Sequence, residues 1–296
     1  MLSTDLIGQR YDIIVHANQA AIADAFWMRA IPQLSCSKNS NADNIRGIIY
    51  YDKPTIALPT TTPYNITDSC SDMDASQLIP IISQPLVLDT SDTFYNETMA
   101  ATVTMISDSL FRWQLKNTTM HLNWSDPTLL QIQHSIKSPI SPFARSSAVI
   151  SVPRAETWVI VVIETSIAAP HPIHLHGHDF LVVSQGRGRY EDLMHSPQGM
   201  NWAPGALPKR DTALLPASGH LVLAFKTDNP GAWILHCHIG WHLEQGFALQ
   251  FVEQEDKIKS LLEENWSADG KNLDENCAAW DEYWETCVIL ENGSGV

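Results

Sequence analysis

The sequence predicts an all-β protein, a β-sandwich of the Greek-key type. Short runs rich in β-branched and aromatic residues recur along the chain, and such runs favour strands. Turn-forming residues separate them, as at residues 228–231, which read DNPG; this pattern is typical of antiparallel sandwiches. A helical pattern is expected only near the end, where Ile258, Leu261 and Leu262 form an apolar face.

The predicted strands follow one another along the chain. Each combines β-branched or aromatic residues over at least three positions and is bounded by turn-forming residues. They are residues 11–15, 48–51, 157–163, 180–183, 221–225 and 233–235.

Two histidine-rich segments lie beside these predicted strands. Residues 171–178 read HPIHLHGH and residues 236–242 read HCHIGWH, so seven of the 12 histidines fall in two short stretches. Imidazole nitrogens combined with one thiolate sulfur are ligands that copper sites use. The pattern therefore indicates a metal site rather than buried polar residues of a core.

Strand geometry predicts that these ligands divide between two faces. Successive side chains of a strand point to opposite faces, so His236 and His238 would point one way and Cys237 the other. One strand can then hold two metal centres, joined by a short covalent route for an electron. His174 and His176 share a face in the same way. Gly177 could turn the chain before His178, which is read as a structural or ligand-supporting histidine.

A blue-copper centre needs two His, one Cys and a weak or absent axial ligand. His171, Cys237 and His242 can supply this set. Residues 243–247 contain no Met, so the predicted site is trigonal and its potential is raised, because no thioether stabilises Cu(II). Zinc is the rival metal, but structural zinc sites are usually built on paired cysteines, and Cys237 has no nearby partner.

The two segments resemble the third and fourth copper-binding motifs of the multicopper oxidases, and the surrounding sequence resembles the laccases of filamentous fungi. The resemblance covers nearly the whole chain. Further matches are GQRYD at residues 8–12, RGIIYY at 46–51, RDT at 210–212, TDNPGAW at 227–233 and CAAW at 277–280.

The resemblance implies a role for each residue of the blue-copper set. His171, Cys237 and His242 would bind the type 1 copper, which takes electrons from the substrate. Phe247 would fill the axial position without coordinating. Trp241 would help line the substrate pocket. The implied reaction is one-electron oxidation of phenols and aromatic amines, coupled to reduction of O₂ to water.

The remaining histidines would bind a trinuclear copper cluster. The resemblance assigns His174 to the type 2 copper, His176 and His236 to one copper of the type 3 pair, and His238 to the other. The family's first two motifs, HxHG and HxH, have no counterpart outside the two segments named above, because the other five histidines stand singly. The family's substrate-binding acid is absent too. The chain is therefore expected to be the C-terminal part of a laccase, inactive without its missing N-terminal cupredoxin domains.

The resemblance also implies a domain organisation. Residues 1–55 would be the remnant of a second cupredoxin domain and residues 56–78 a linker. Residues 79–254 would form a third cupredoxin, or plastocyanin-like, domain with the type 1 site and half of the trinuclear ligands. Residues 255–296 would form a C-terminal helical extension and tail.

The cysteines and glycosylation signals favour a secreted protein. Cys36 and Cys70, which match cysteines that the family pairs, are predicted to form a disulfide. Cys277 matches a family cysteine that bonds to the first domain, and a Cys277–Cys287 bridge is the alternative. Six Asn-x-Ser/Thr acceptors occur. Residues 1–5 do not form a signal peptide, so secretion is expected of a full-length protein.

Composition excludes some classes of partner. The chain of 296 residues carries a net charge of −15, which argues against nucleic acid, because phosphates need Lys and Arg. No run approaches the roughly 20 apolar residues of a membrane span. Two further functions stay open: an electron-transfer cupredoxin, which would not need the pair His236 and His238, and a non-catalytic copper-binding or storage protein. Ascorbate oxidases and metal oxidases are related alternatives.

Overall fold

The computed structural model describes most of the chain between Gly8 and Thr286. The longer described ranges are 8–34, 45–51, 58–65, 77–88, 99–107, 110–136, 143–190, 207–266 and 273–286, with shorter ones at 38, 40–41, 67–68, 71–73 and 93–94.

The chain divides into two compact units, of which the smaller comprises residues 11–72. It contains an antiparallel pair of strands, β1 (Ala25–Arg29) and β2 (Arg46–Tyr50). The Arg46 guanidinium lies 4.2 Å from the centroid of the Trp27 ring, a distance at which a cation is attracted to the ring face.

The larger unit comprises residues 1–10 and 73–296 and contains the remaining elements. Its strands are β3 (Thr93–Phe94), β4 (Met99–Ser107), β5 (Leu110–Leu115), β6 (Val149–Val152), β7 (Trp158–Thr165), β8 (His171–Leu175), β9 (Phe180–Arg187), β10 (Lys209–Arg210), β11 (Thr212–Leu215), β12 (Gly219–Lys226), β13 (Gly231–Cys237) and β14 (Ala248–Glu253).

The helices of the larger unit are more widely distributed than predicted. They are α1 (Thr128–Ser135), α2 (Gly240–Glu244), α3 (Glu255–Trp266) and α4 (Leu273–Thr286). The expectation of helix only near the end was wrong for α1. Its residue Ile132 is fully buried and packs with Ile258 and Leu262 of α3 and with Val252 of β14. Tertiary packing therefore stabilises a helix whose short pattern is weak on its own.

Two sheets form the sandwich. One has the strand order β10-β9-β12-β7-β4-β5, with β3 beside β7, and the other has the order β11-β8-β13-β14-β6. Most neighbouring strands run antiparallel, whereas the pairs β3–β7, β4–β7 and β6–β14 are parallel. The described residues therefore form a mostly β structure, and the predicted all-β fold class is confirmed.

A single core fills the space between the two sheets. Fully buried side chains from the first sheet, such as Val161 and Leu223, pack with Ile173 and Leu235 from the second. Cys237 belongs to the same core. Burial of apolar surface on this scale is the main stabilising term of the fold.

The strand predictions have one error. Five of the six predicted strands overlap β2, β7, β9, β12 or β13. Residues 11–15 form no strand, and Ile13, Ile14 and Val15 are more than half exposed. A run of β-branched residues is insufficient here, because a strand also needs a neighbouring backbone to complete its hydrogen bonds.

The cysteine predictions fall largely outside the described residues. Cys36, Cys70 and Cys287 all lie there, so both proposed bridges stay predictions. Cys277 is described, and it is buried on α4. The predicted domain boundaries likewise stay predictions. In the described part of the chain, no helix is long and apolar enough to cross a membrane.

Candidate metal centres

The pairing of β8 with β13 brings the two histidine-rich segments together. In this antiparallel register His174 lies opposite His236, and Ile173 lies opposite Cys237. Because side chains alternate along each strand, His174 and His236 point to one face of the sheet. His171 and Cys237 point to the other face, which is the interior of the sandwich. The predicted division between two faces agrees with this geometry.

The first ligand group consists of His171, Cys237 and His242. The two Nδ1 atoms are 3.2 Å apart, and the Cys237 Sγ lies 3.8 Å from His171 Nδ1 and 3.6 Å from His242 Nδ1. Metal bonds of about 2.0 Å to nitrogen and about 2.3 Å to sulfur in a trigonal plane would give N···N of about 3.5 Å and N···S of about 3.7 Å. The three atoms therefore fit around one metal ion.

The protonation states of this group also favour a cation. Burial lowers the pKa of His171 to about 4, with a smaller contribution from nearby His242, and burial also lowers the pKa of His242. Both imidazoles are thus neutral and able to coordinate near pH 7. Burial raises the pKa of the Cys237 thiol to about 12. A bound cation would be needed to hold this sulfur as a thiolate.

Two aromatic rings surround the first group. Phe247 is fully buried, and its ring centroid lies 5.2 Å from that of His171. Trp113 on β5 packs against both ligand rings, with centroids 4.9 Å from His171 and 4.2 Å from His242, and stacks on Phe247. The sequence analysis missed Trp113, which is far from both motifs. The group is therefore shielded from water on this side.

Trp241 occupies a different position. It lies in α2 beside His242 and is 74% exposed, in contrast to the buried ring of Trp113. The indole is therefore accessible at the surface, next to an imidazole whose other side faces the buried sulfur.

The second ligand group consists of His174, His176 and His236 on the opposite face of the sheet. Their candidate ligand atoms all lie within 4.8 Å of one another, and the Nε2 atoms of His176 and His236 are 3.0 Å apart. The His238 ring stands beside them, 5.6 Å from the rings of both His174 and His236. All four predicted imidazoles therefore meet at one place.

Hydrogen bonds orient two of these rings. His174 Nδ1 lies 2.8 Å from the main-chain oxygen of Asp211 and 3.0 Å from Thr212 Oγ1. His236 Nδ1 lies 2.9 Å from the main-chain oxygen of Cys237. Each contact engages Nδ1 and leaves Nε2 to face the other imidazoles. Such outer contacts fix the tautomer and direction of metal-binding histidines.

The second group borders a cavity of about 460 Å³ lined by Gly8, Gln9, Arg10, His174 and His238. Gly8 has a positive φ of 81°, and a Cβ there would lie 2.5 Å from the His238 ring, so only glycine permits this close approach. Arg10 forms an ion pair with Asp211. Residues 8–10, the first part of the segment that resembles the laccases, thus contribute to the wall of this cavity.

We expect the metal-free protein to lose stability between pH 6.5 and pH 4. Burial is the largest cause that lowers the pKa of both His171 and His236 to about 4, whereas an unfolded histidine has a pKa of about 6.5. Within this window the unfolded chain binds protons that the folded chain does not. The free energy of unfolding therefore decreases as the pH decreases, by up to about 3 kcal/mol per ring.

Urea denaturation of the metal-free protein at several pH values measures this slope. His171→Asn and His236→Asn should each flatten it, because each removes one titrating ring. Slopes unchanged in both variants would contradict the assignment of the pH dependence to these two buried imidazoles.

The part of the chain that contains both ligand groups is similar to known copper proteins. Residues 121–257 match the family model described as multicopper oxidase. The chain is 37% identical over 294 residues to Laccase-2 and 38% identical over 293 residues to Laccase-1, both of Botryotinia fuckeliana. These alignments cover 98% of this chain and 47% and 48% of the relatives. The chain therefore spans about half the length of the relatives it matches.

Solved structures show the same similarity. The laccase from Botrytis aclada superposes with a TM-score of 0.71 at 32% identity, over 93% of this chain and 48% of that one. Fet3p, a multicopper oxidase that functions in iron import, gives a TM-score of 0.60 at 24% identity, over 88% of this chain and 47% of that one; this second likeness concerns the fold alone.

Proposed function

We propose that this chain, whose residues 121–257 match the multicopper oxidases, forms the copper-binding C-terminal part of a laccase-type oxidoreductase. The observation that carries the proposal is the arrangement of two ligand groups on opposite faces of one strand. The family implies copper, and a His₂Cys set beside a cluster of imidazoles suits that metal.

We assign the first group, His171, Cys237 and His242, to a type 1 copper. The buried sulfur and two neutral imidazoles provide the donor set of such a site. In this assignment the buried ring of Phe247, which packs against His171, would fill the axial position without coordinating. In the second group we assign His174 to a type 2 copper, and we assign His176, His236 and His238 to a type 3 pair.

Bound copper would supply one-electron redox chemistry. The protein's own contribution is to hold the donors in position and to connect the two groups. Cys237 is covalently bonded to His236 and His238, so the buried sulfur of one group and the imidazoles of the other are joined through the main chain. Exposed Trp241 beside His242 gives an aromatic substrate a surface at which to approach the first group.

The proposed substrates are phenols and aromatic amines, with O₂ as the electron acceptor. The relatives that carry the name laccase support this class. The cavity beside His174 and His238 is where further ligands would complete the second group, and we propose that N-terminal cupredoxin domains supply them. In the same proposal, residues 1–55 belong to a second cupredoxin domain, 56–78 to a linker, 79–254 to a third and 255–296 to an extension.

We also propose that the complete protein is secreted and glycosylated. Three of the acceptor asparagines, Asn65, Asn117 and Asn123, lie in described regions and are exposed, as attachment of a glycan requires. Mass spectrometry of secreted protein before and after glycosidase treatment tests this part of the proposal.

Copper loading tests the central proposal. The purified chain should bind one equivalent of Cu(II) with an intense visible band from the thiolate, and further copper should be detected by EPR as non-blue Cu(II). A chain that binds copper without a blue band, or binds zinc and rejects copper, would contradict the assignment.

Phe247→Met is expected to lower the potential of the type 1 site. The new thioether would lie where the buried phenyl ring now packs against His171 and would stabilise Cu(II). The decrease should be on the order of a hundred millivolts, since axial ligation tunes such sites. Redox titration of the blue band measures it. Phe251→Met, in the same core, is the matched control, and an equal shift in both variants would rule out axial coordination.

A further inference from the structure

His178 and Glu253 form a buried polar pair outside both ligand groups. Their side chains are only 3% and 0% exposed, and His178 Nε2 lies 2.9 Å from Glu253 Oε2. The two atoms are not aligned for a hydrogen bond, so the contact is a close polar approach. Burying two polar side chains is unfavourable unless the surrounding groups satisfy their hydrogen-bonding atoms.

The second oxygen of Glu253 connects the pair to the loop before β13. Glu253 Oε1 accepts hydrogen bonds from the main-chain N–H of Asn229 at 2.8 Å and from Gln254 Nε2 at 3.0 Å. Asn229 then donates through Nδ2 to the main-chain oxygen of Gly177 at 2.9 Å. The chain of contacts thus returns to the residue next to His178.

Trp233 fixes the same turn from another side. Its indole N–H donates to the main-chain oxygen of Asn229 at 2.7 Å. A Cβ on Gly177, which has a φ of +72°, would lie 2.5 Å from the Trp233 ring. The His178 ring stands edge-on to Trp233 and tilted against Phe225. The turn after β8 therefore has no room to shift without breaking these contacts.

This turn carries a ligand of the second group. His176 immediately precedes Gly177, and its main-chain N–H donates to Ile234 on β13 at 2.9 Å. The His176 side chain is exposed, so packing around the ring itself does little to hold it. Its position 3.0 Å from His236 must be set mainly by the main chain on either side.

We propose that His178, Glu253 and Asn229 form a lock that positions His176 for metal binding. None of them reaches the metal, so they are positioning residues. The inference rests on the proposed function, because it assumes that the second group binds copper. A purely structural role would weaken the whole fold, whereas a positioning role predicts a selective loss at the second group, since outer contacts commonly contribute 10–100-fold to metal affinity.

The experiment uses the full chain titrated with Cu(II) and reads both groups in one sample. The blue band reports the first group. Copper bound in excess of the blue site, counted by metal analysis together with the non-blue EPR signal, reports the second, because a coupled copper pair is itself EPR-silent. We expect His178→Gln and Glu253→Gln to weaken non-blue binding by about tenfold or more and to leave the affinity and band of the blue site unchanged. Asn229→Ala is a milder variant that removes only the contact to Gly177.

His220→Gln is the matched control. His220 is also fully buried, and its ring nitrogens lie 3.0 Å from Ser184 Oγ and from the main-chain oxygen of Gly188, but it is on β12 in the other sheet. We expect this variant to lower the melting temperature of the protein without weakening copper binding at the second group more than at the first.

The lock would be overturned, and the proposed function left standing, if non-blue copper bound equally well to the unmodified chain, Asn229→Ala and His178→Gln. If every variant lost copper affinity equally at both ligand groups, the three residues would have a general structural role, and the lock would again be overturned. An unmodified chain that binds no non-blue copper would instead overturn the proposed function on which the lock rests.

Discussion

Cys237→Ser is expected to abolish the blue colour of the copper-loaded protein completely. The band at about 600 nm arises from charge transfer between a thiolate and Cu(II), and a serine oxygen cannot replace the thiolate sulfur. Cys237 is the residue that places sulfur within 3.8 Å of both His171 and His242. Because the opposite face of the strand is untouched, the non-blue EPR signal of the second group should remain.

Cys277→Ser is the matched control for this experiment. Cys277 is also buried, but it lies on α4 beside the acidic residues Asp274 and Asp281, which contribute, after burial, to raising the pKa of its thiol. Absorption spectra of both copper-loaded variants suffice as the measurement. A blue band that survives in Cys237→Ser, or disappears in Cys277→Ser, would show that the sulfur has been assigned to the wrong residue.

The chain by itself is expected to show no sustained reduction of O₂. Within the described residues, the second group is supplied by His174, His176, His236 and His238, and its open side borders the cavity of about 460 Å³. Copper ions held there by one or two protein ligands each should bind weakly and stay open to water. Oxygen uptake with a phenolic substrate should therefore remain at the level of the metal-free control.

Electron uptake by the first group should persist under the same conditions. Its three donors are all present, so a phenol should bleach the blue band once, without repeated turnover. A laccase of full length, such as that of Botrytis aclada, serves as the positive control for oxygen uptake. Sustained four-electron turnover by this chain would show that its own residues complete the second group, and would contradict the proposed need for further domains.

Local sequence patterns were enough to predict most of the fold and to single out the residues of both ligand groups. Alternation along a strand is enough to separate Cys237 from its histidine neighbours, and the structure places them on opposite faces as predicted. The same rule failed for residues 11–15, because an apolar run does not reveal whether a partner strand exists. It also missed α1, whose burial depends on α3 more than 100 residues away.

Long-range packing explains what the sequence could not predict about the sites. Trp113 contacts both His171 and His242, but it reaches them only because β5 folds over the first group. Glu253 meets His178 for a similar reason, since β14 pairs with β13 and brings its last residue under the turn after β8. Neither residue stands in a recognisable spacing from the motifs, so only the folded structure reveals them.

The backbone around the first group has a consequence for the speed of electron transfer. The Cys237 N–H donates to the Phe247 oxygen and the Phe247 N–H donates to the His242 oxygen, so the loop that carries the ligands is closed on itself. The three donor atoms lie 3.2 to 3.8 Å from one another, spacings that suit a trigonal site. A change of oxidation state would then require little nuclear rearrangement. The activation barrier would be correspondingly small, so the driving force of the substrate, rather than motion of the protein, would govern the rate.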